Sequence, residues 1–570
     1  MLTGMLPSRH VEQASRQLDR EEAPLGDEQL KILYQNVVGS VYRFRRCQAL
    51  PQPACATGVA RLAAQGSFSL AVIGMRDTLN LFQRARSSSG LKFFRDLGVL
   101  TAGEVVFKVV GFLAFAYLAR TLHPEGYGAV EYTVGLSVLF ATLVDGGLGV
   151  VGVRRIARRP GDLPALAAQV PAARLGVALV SVPVMVSVAA PAIHDPAGRN
   201  LVWLFALGLL VAPWRQDWLL QAKERMGDVV LAQLLRVAVF TATVLIFVRG
   251  ASDILAVGWA EMAGAAAMSL YCTARQHTKI TPFRPNPPMA GFVGLVREGA
   301  TVALGNAVWA ANQYAPLLLV ASLRGGLETA WLAAANRIVT SVLTFSNVYH
   351  FNLYPTIARA TKRHPEELAS VLSASFRVVA WAATAVALAL TLLAEPLCVL
   401  LFGSTFERAG VMLAVMVWTV PVALLSGHAR WSLVAAGHQA HVVWAQLAGL
   451  ASIGAFGAPL VLSLGGAGAA VLSLAASGAV WLAAHMLLRR QGGTPPAIAI
   501  TFAPAGLALG VIGASRTLGS DHWVGALGVL VFTAAAPLLD RKLLPDLKRL
   551  GSETRRGSPS RNASQGGPDL

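Results

Sequence analysis

Charge is scarce in this chain. Asp, Glu, Lys and Arg make up 14% of its 570 residues, against a hydrophobic share of 55%. A soluble chain of this length has too little polar surface to cover so much apolar area, so a soluble multidomain protein is excluded. Acidic residues are the scarcer sign, 30 against 48 Lys and Arg. In a soluble protein the resulting charge of +18 points to nucleic acid. Here the basic residues fall in loops on one side, which is a signature of membrane topology and not of a nucleic-acid partner. Cysteine is also rare: Cys47, Cys55, Cys272 and Cys398 have neither metal spacing nor a paired framework. No histidine pair stands in a zinc motif, and no glycine loop with its lysine is present to hold a nucleotide phosphate. No metal, no cofactor and no catalytic constellation are therefore expected. Short alternating segments are missing as well, which argues against an outer-membrane barrel.

What is present is a series of long apolar runs. Crossing the hydrocarbon takes about twenty apolar residues per helix, and hydropathy places about fourteen such spans, which makes the fold class an all-α polytopic membrane protein. The first six are 97–118, 129–153, 172–193, 201–220, 229–248 and 254–273. The next six are 300–323, 330–353, 368–393, 410–426, 441–464 and 467–488, and two more follow at 498–514 and 523–539. The chain then divides into a cytoplasmic lead (1–90), a first six-helix bundle (91–274), a basic proline-rich connector (275–299), a second six-helix bundle (300–490), two further helices (491–543) and a disordered basic tail (544–570). The lead has no run long enough to span and no secretory signal pattern. It reads either as an extension of its own or as dispensable sequence upstream of a start at Met75.

Loop charge tests this topology independently. One side collects Arg154, Arg155, Arg158, Arg159, Lys223, Arg225, Arg275, Lys279, Arg284, Arg359, Lys362, Arg363, Arg489 and Arg490, whereas the opposite loops hold single arginines such as Arg120, Arg199 and Arg324. The positive-inside rule makes the first side cytoplasmic and places both termini there.

The two bundles repeat each other. VVLAQLLRVAVF from Val229 is matched by VVWAQLAGLASI from Val442, and Arg174 in the third span is matched by Arg377 in the ninth. Six spans followed by six equivalent spans have the same orientation, and two like-oriented bundles around a central cavity suit alternating access.

Several polar residues lie too deep to reach an interface. Lys108 stands one turn after Glu104 in the first span, on the same face. Arg236 and Arg337 are the other deep cations, Arg377 is a little shallower and Arg174 stands near the start of the third span, while Asn306, Asn312, Gln313, Asn336, Asn347 and Asn352 add polar faces to spans seven and eight. A charge at mid-membrane costs about 2.5–3.5 kcal/mol on insertion scales, so each must face protein, water or ligand. Two readings stay open: a cationic cavity for an anionic head group, with Glu104, Asn306, Asn312 and Asn336 as polar or ion-coupling members, or ion pairs with acids such as Glu104, Glu261 and Glu298 that serve packing. Asp145 in VDGGLG reads as an anchor for a helix end loosened by Gly146, Gly147 and Gly149.

The segment LARTLHPEGYGAVEYTVGLSVLFATLVDGGLGVVGVRRIAR, residues 118–158, resembles the polysaccharide biosynthesis protein family. These are the O-antigen and exopolysaccharide flippases, in the superfamily that also holds the multidrug and toxic compound extruders and the lipid II flippases. The shared features are an apolar first span, a short polar hairpin around GYG, and a second span closing on DGGLG and arginines. The resemblance implies a MATE-like fold and translocation of an undecaprenyl-diphosphate-linked oligosaccharide across the bacterial inner membrane, with membrane lipids and other polysaccharide-assembly proteins as partners. The long lead departs from the family pattern. A proton- or sodium-coupled drug antiporter is the alternative, and it would want acids in the cavity. A membrane polymerase or ligase would be expected to show a large outward loop, and every outward loop here is short.

Overall fold

The computed structural model describes residues 67–193, 195–282, 290–363, 365–518 and 522–556. Side chains are described from Val106 to Leu550, apart from 347–348, 351–352, 355–356, 358–367, 518–523 and the gaps at 194 and 283–289. The chain divides into two units, Met1–Arg95 and Asp96–Leu570, and the packing described below is that of the second. Among the described residues every regular element is helical, as a lipid-embedded backbone requires when its N–H and C=O groups have no water to bond.

The first half comprises α1 (Ser67–Asp145), α2 (Leu148–Arg158), α3 (Leu163–Ala189), α4 (Pro196–Gly208), α5 (Asp217–Ala222), α6 (Met226–Phe247) and α7 (Ile254–Lys279). Helix α1 is interrupted at His123, whose φ of 56° and ψ of 172° are not helical. Pro124 follows as the opening residue of the next helical stretch, where a missing N–H costs nothing. The expected hairpin around GYG is thus one residue of break, and Gly126 and Gly128 lie inside the helix that follows. Gly128 is there for space: a Cβ would run into the backbone carbonyl of Gly326. The second break in this span falls at Gly146 and Gly147, with φ of 58° and 64°. Both are left-handed values that glycine adopts without strain.

The second half comprises α8 (Phe292–Arg324), α9 (Gly326–Arg363), α10 (Pro365–Leu392), α11 (Ala394–Phe402), α12 (Ala409–Met416), α13 (Thr419–Ala435), α14 (Gln439–Leu464) and α15 (Gly466–Arg490). After it come α16 (Phe502–Leu518), α17 (His522–Leu539) and α18 (Leu543–Arg556). Among the described residues ten helices are long and apolar enough to cross a membrane, or eleven if α17 and the 90° bend into α18 are taken together. The expected fourteen exceed this count for identifiable reasons. Two expected spans run together in Val106–Arg158, and α8 and α9 fall short of the apolar test because Asn306, Asn312, Gln313, Asn336 and Arg337 break up their hydropathy.

Two further expectations are corrected. The tenth span does not end at residue 426: α13 continues to Ala435 and carries Arg430 within it. The tail is not disordered from residue 544, since α18 is helical to Arg556; residues 557–570 lie outside the described residues. Helix α18 docks on α10 through Arg377, which donates to Asp540 at 2.7 Å and Asp546 at 3.0 Å. Burial pushes the Asp540 carboxyl up, but the hydrogen bonds from Arg377 and Trp381 outweigh it and leave it below the usual carboxylate range.

The halves meet on both sides of the molecular centre. At the end carrying few charges, Leu118, Leu122 and Tyr127 share a core with Ala330, Phe402 and Phe406. At the arginine-rich end, Leu148, Ile156 and Trp218 pack around Leu295 of α8, and Arg155 meets Glu298 at 3.0 Å.

A candidate anion-binding cavity

Between these two contact zones lies a cavity of about 590 Å³, within the range of small-molecule sites. Its walls come from α1, α6 and α7 on one side and α8, α9, α13, α14 and α15 on the other. The charged residues in its lining are Lys108, Arg236, Arg337 and Arg430 against Glu131 and Glu261. Four cations minus two carboxylates leave a formal surplus of two positive charges. Around them stand amide and hydroxyl groups, among them Asn312, Asn336, Thr340, Ser426, Gln446 and Ser473.

The cations differ in how they are held. Arg236 on α6 pairs with Glu261 on the adjacent α7. Arg337 on α9 reaches across the halves to Glu131 at 2.8 Å, and its guanidinium lies 3.4 Å from the centre of the Phe115 ring. A carboxylate at its edge and an aromatic ring against its face suit a planar guanidinium. Arg430 on α13 has no ion pair among the described residues; its nearest acceptor is the Ala423 carbonyl at 3.5 Å, and its buried Nε has no partner. The Oδ1 of Asn312 and the Oγ of Ser426 are likewise buried without partners, although Asn312 is fixed by donating from Nδ2 to the Gln446 carbonyl at 2.8 Å. Unpaired buried polar groups are costly, and these three line the same cavity, as does Arg236, whose Nε is also buried without a partner among the described residues.

The expected site residues divide accordingly. Lys108, Arg236, Arg337, Asn312 and Asn336 are brought together in the lining. Arg377 lies off the cavity, engaged by Asp540 and Asp546. Arg174 is also off it: buried, it pairs with Asp145 and donates to the Arg215 carbonyl at 3.0 Å, pinning α3 to the end of α1 where the chain breaks. Asn306 is exposed and outside the lining. The side chains of Glu104, Asn347 and Asn352 lie outside the described residues. Sequence reasoning missed Arg430 and Glu131. For Arg430 the signal was present, since Thr419, Ala423, Ser426 and Arg430 recur at helical spacing and all line the cavity.

The repeat explains why the two walls differ. In the matched segments Arg236 of α6 corresponds to Gly449 of α14. A Cβ at Gly449 would crowd the Asn312 amide and the Ala476 carbonyl. Where the first half places a paired arginine, the second gives up its side chain so that α8 and α15 close in.

The sequence profile of the polysaccharide biosynthesis protein family matches residues 93–361. No curated protein matches the chain in sequence. Among solved structures, the lipid II flippase MurJ in an inward closed conformation is similar with a TM-score of 0.63 at 10% identity, over 78% of this chain and 99% of that one. An inward-facing multidrug resistance MATE family transporter of the MOP superfamily is similar with a TM-score of 0.57 at 15% identity, over 67% and 94%. At such identities the likeness is one of fold. The resemblance read from residues 118–158 is borne out: the chain carries the polysaccharide biosynthesis family pattern over residues 93–361, on the fold shared by MurJ and the MATE transporter.

Proposed function

We propose that the protein is a flippase that carries an undecaprenyl-diphosphate-linked oligosaccharide across the bacterial inner membrane for polysaccharide assembly, with both termini in the cytoplasm. The observation that carries this reading is Arg430, a cation of the cavity lining with no carboxylate partner among the described residues. A diphosphate supplies the complementary charge, and guanidinium donors suit its oxygens. The surrounding amides and hydroxyls suit the first sugars. The family match and the lipid-flipping relative in fold support the same reading.

The mechanism follows from the two contact zones. With the arginine-rich end open, the diphosphate and sugars enter from the cytoplasm while the polyprenyl tail stays in lipid. Rocking of one half against the other exposes the head group on the far side. The antiporter reading draws on Glu131 and Glu261, the acids in the lining; each is already bonded to an arginine, which leaves the flippase reading the better supported.

Native mass spectrometry of the protein released from its own membranes separates the two. Retention of a polyprenyl-diphosphate glycan in preference to bulk phospholipid is the expected result and identifies the sugar. Absence of such a lipid, together with proton- or sodium-driven efflux of organic cations from vesicles, overturns the flippase reading.

A further inference from the structure

Behind the cavity wall formed by α9 and α13 lies a buried pair of histidines that the proposed transport cycle does not use. His350 of α9 is 2% exposed and His428 of α13 is 1% exposed, and their rings meet edge to face at 5.5 Å. Their tautomers follow from their partners. Nδ1 of His350 lies 2.7 Å from the Ser346 carbonyl, and Nδ1 of His428 lies 3.2 Å from the Leu424 carbonyl. A carbonyl only accepts, so both Nδ1 atoms carry the hydrogen and both Nε2 atoms present a lone pair. For His428 that lone pair is met by the hydroxyls of Tyr349 and Ser375, each at 3.2 Å. For His350 nothing donates among the described residues: Nε2 is buried without a partner there, lodged where Gly427 has no side chain.

We infer that His350 Nε2 is a proton-binding site whose occupancy is linked to the anion held by Arg430. Imidazole is the side chain of this wall whose unperturbed titration lies nearest neutral pH. The Leu424 carbonyl also faces the His350 ring, so an imidazolium there has acceptors on both sides. Ser346 lines the cavity and its Oγ stands 3.4 Å from His350 Nδ1, which puts the ring one residue from the cavity. Among the described residues the titratable or charged groups facing His350 are Tyr349 of its own helix and His428 and Arg430 of α13; α10 adds the uncharged Ser375 and Phe376 to the cluster.

Arg430 supplies the linkage. It stands one helical turn from Gly427, against which His350 is lodged, so an imidazolium and the guanidinium repel. An anion on Arg430 relieves that repulsion. Proton and anion therefore bind with positive cooperativity, and each raises the affinity of the other by the same factor. The anion half of this inference rests on the proposed function; the proton half stands on the geometry alone.

The test is a histidine NMR titration of the full-length protein in nanodiscs, with His350 assigned by its loss in His350→Gln, or in His350→Asn should the first variant not fold. Removing the charge in Arg430→Gln is expected to raise the His350 midpoint by about one pH unit, whereas Arg430→Lys leaves it in place. Added undecaprenyl diphosphate is expected to raise it in the wild type. An imidazole that stays neutral down to acid pH, or a midpoint unmoved in Arg430→Gln, overturns the proton site. Undecaprenyl diphosphate that binds without moving the midpoint overturns the linkage. A midpoint that responds to Arg430→Gln while undecaprenyl diphosphate does not bind supports the proton site and counts against the flippase reading instead.

Discussion

Arg430 and Arg337 are both arginines of the cavity, yet the same substitution has different consequences at each because only one is neutralised. Arg430 faces the cavity with no carboxylate to bond among the described residues. In Arg430→Gln a charge-assisted hydrogen bond to phosphate is lost, about 1.5–3 kcal/mol, so affinity for undecaprenyl diphosphate falls by about 10–150-fold with the melting temperature little changed. Arg430→Lys recovers part of it, since lysine keeps the charge but not the fork. Arg337 is held by Glu131. In Glu131→Gln the guanidinium loses its carboxylate, and two readouts move in opposite directions: thermal unfolding occurs at lower temperature, while the cavity, now one charge more positive, binds the diphosphate more tightly. Equal affinity in wild type and Glu131→Gln, measured by the same binding assay, counts against an electrostatic site. The sequence made Arg337 visible because a charge inside an apolar run must face protein, water or a ligand. It hid Arg430, because GHARWS lowers the local hydropathy enough to look like the end of a span.

At the scale of elements, apolar run length was the most legible property, since lipid demands a closed backbone and about twenty apolar residues per crossing. The series of helices was readable on that ground. Less readable were features set by tertiary contact. Arg377 looked like a cavity cation from depth alone, but whether a deep arginine faces a cavity or a neighbouring helix depends on packing that no single-helix pattern records. Its partners are Asp540, just past the last expected span, and Asp546, in the tail where composition suggested disorder. Once docked, α18 exposes Leu544 and Leu547 beside Lys548 and Arg549, the mix expected of a helix lying in a membrane interface. Its docking depends on pH with a definite sign. Asp540 is held below its usual range, so its contribution is fully present above the ordinary aspartate value of about 3.9 and is lost as pH falls through the lowered one. A spin label at Lys548→Cys is expected to be immobilised at pH 7 and mobile at strongly acid pH. In Arg377→Gln it is mobile at both. A label equally restrained in Arg377→Gln places the docking energy elsewhere.

For the whole molecule, transport needs the two contact zones to open in alternation, so neither can be too strong. The zone with few charges is a broad apolar core in which Gly128 lets the helix backbone touch Gly326. The arginine-rich zone combines a smaller core with an ion pair, Arg155 to Glu298, whose side chains are 25% and 58% exposed. Hydrogen bonding from Arg155 holds the Glu298 carboxyl below its usual range, but a pair this exposed is worth about 0–1 kcal/mol. That is enough to shift a balanced equilibrium by at most about fivefold, which is the scale of a latch that a transport cycle can open. Reversing one charge, in Arg155→Glu, sets two carboxylates against each other and is expected to favour the state open at this end. A cysteine placed at Ser137 in the cavity lining, in a background without the native cysteines, then reacts faster with a polar thiol reagent applied from the arginine-rich side. Adding Glu298→Arg restores the pair with its signs exchanged and returns the labelling rate to that of the starting protein. If the double variant labels as fast as Arg155→Glu alone, the ion pair does not hold this end closed, and closure belongs to the apolar contacts of Leu148 and Leu295.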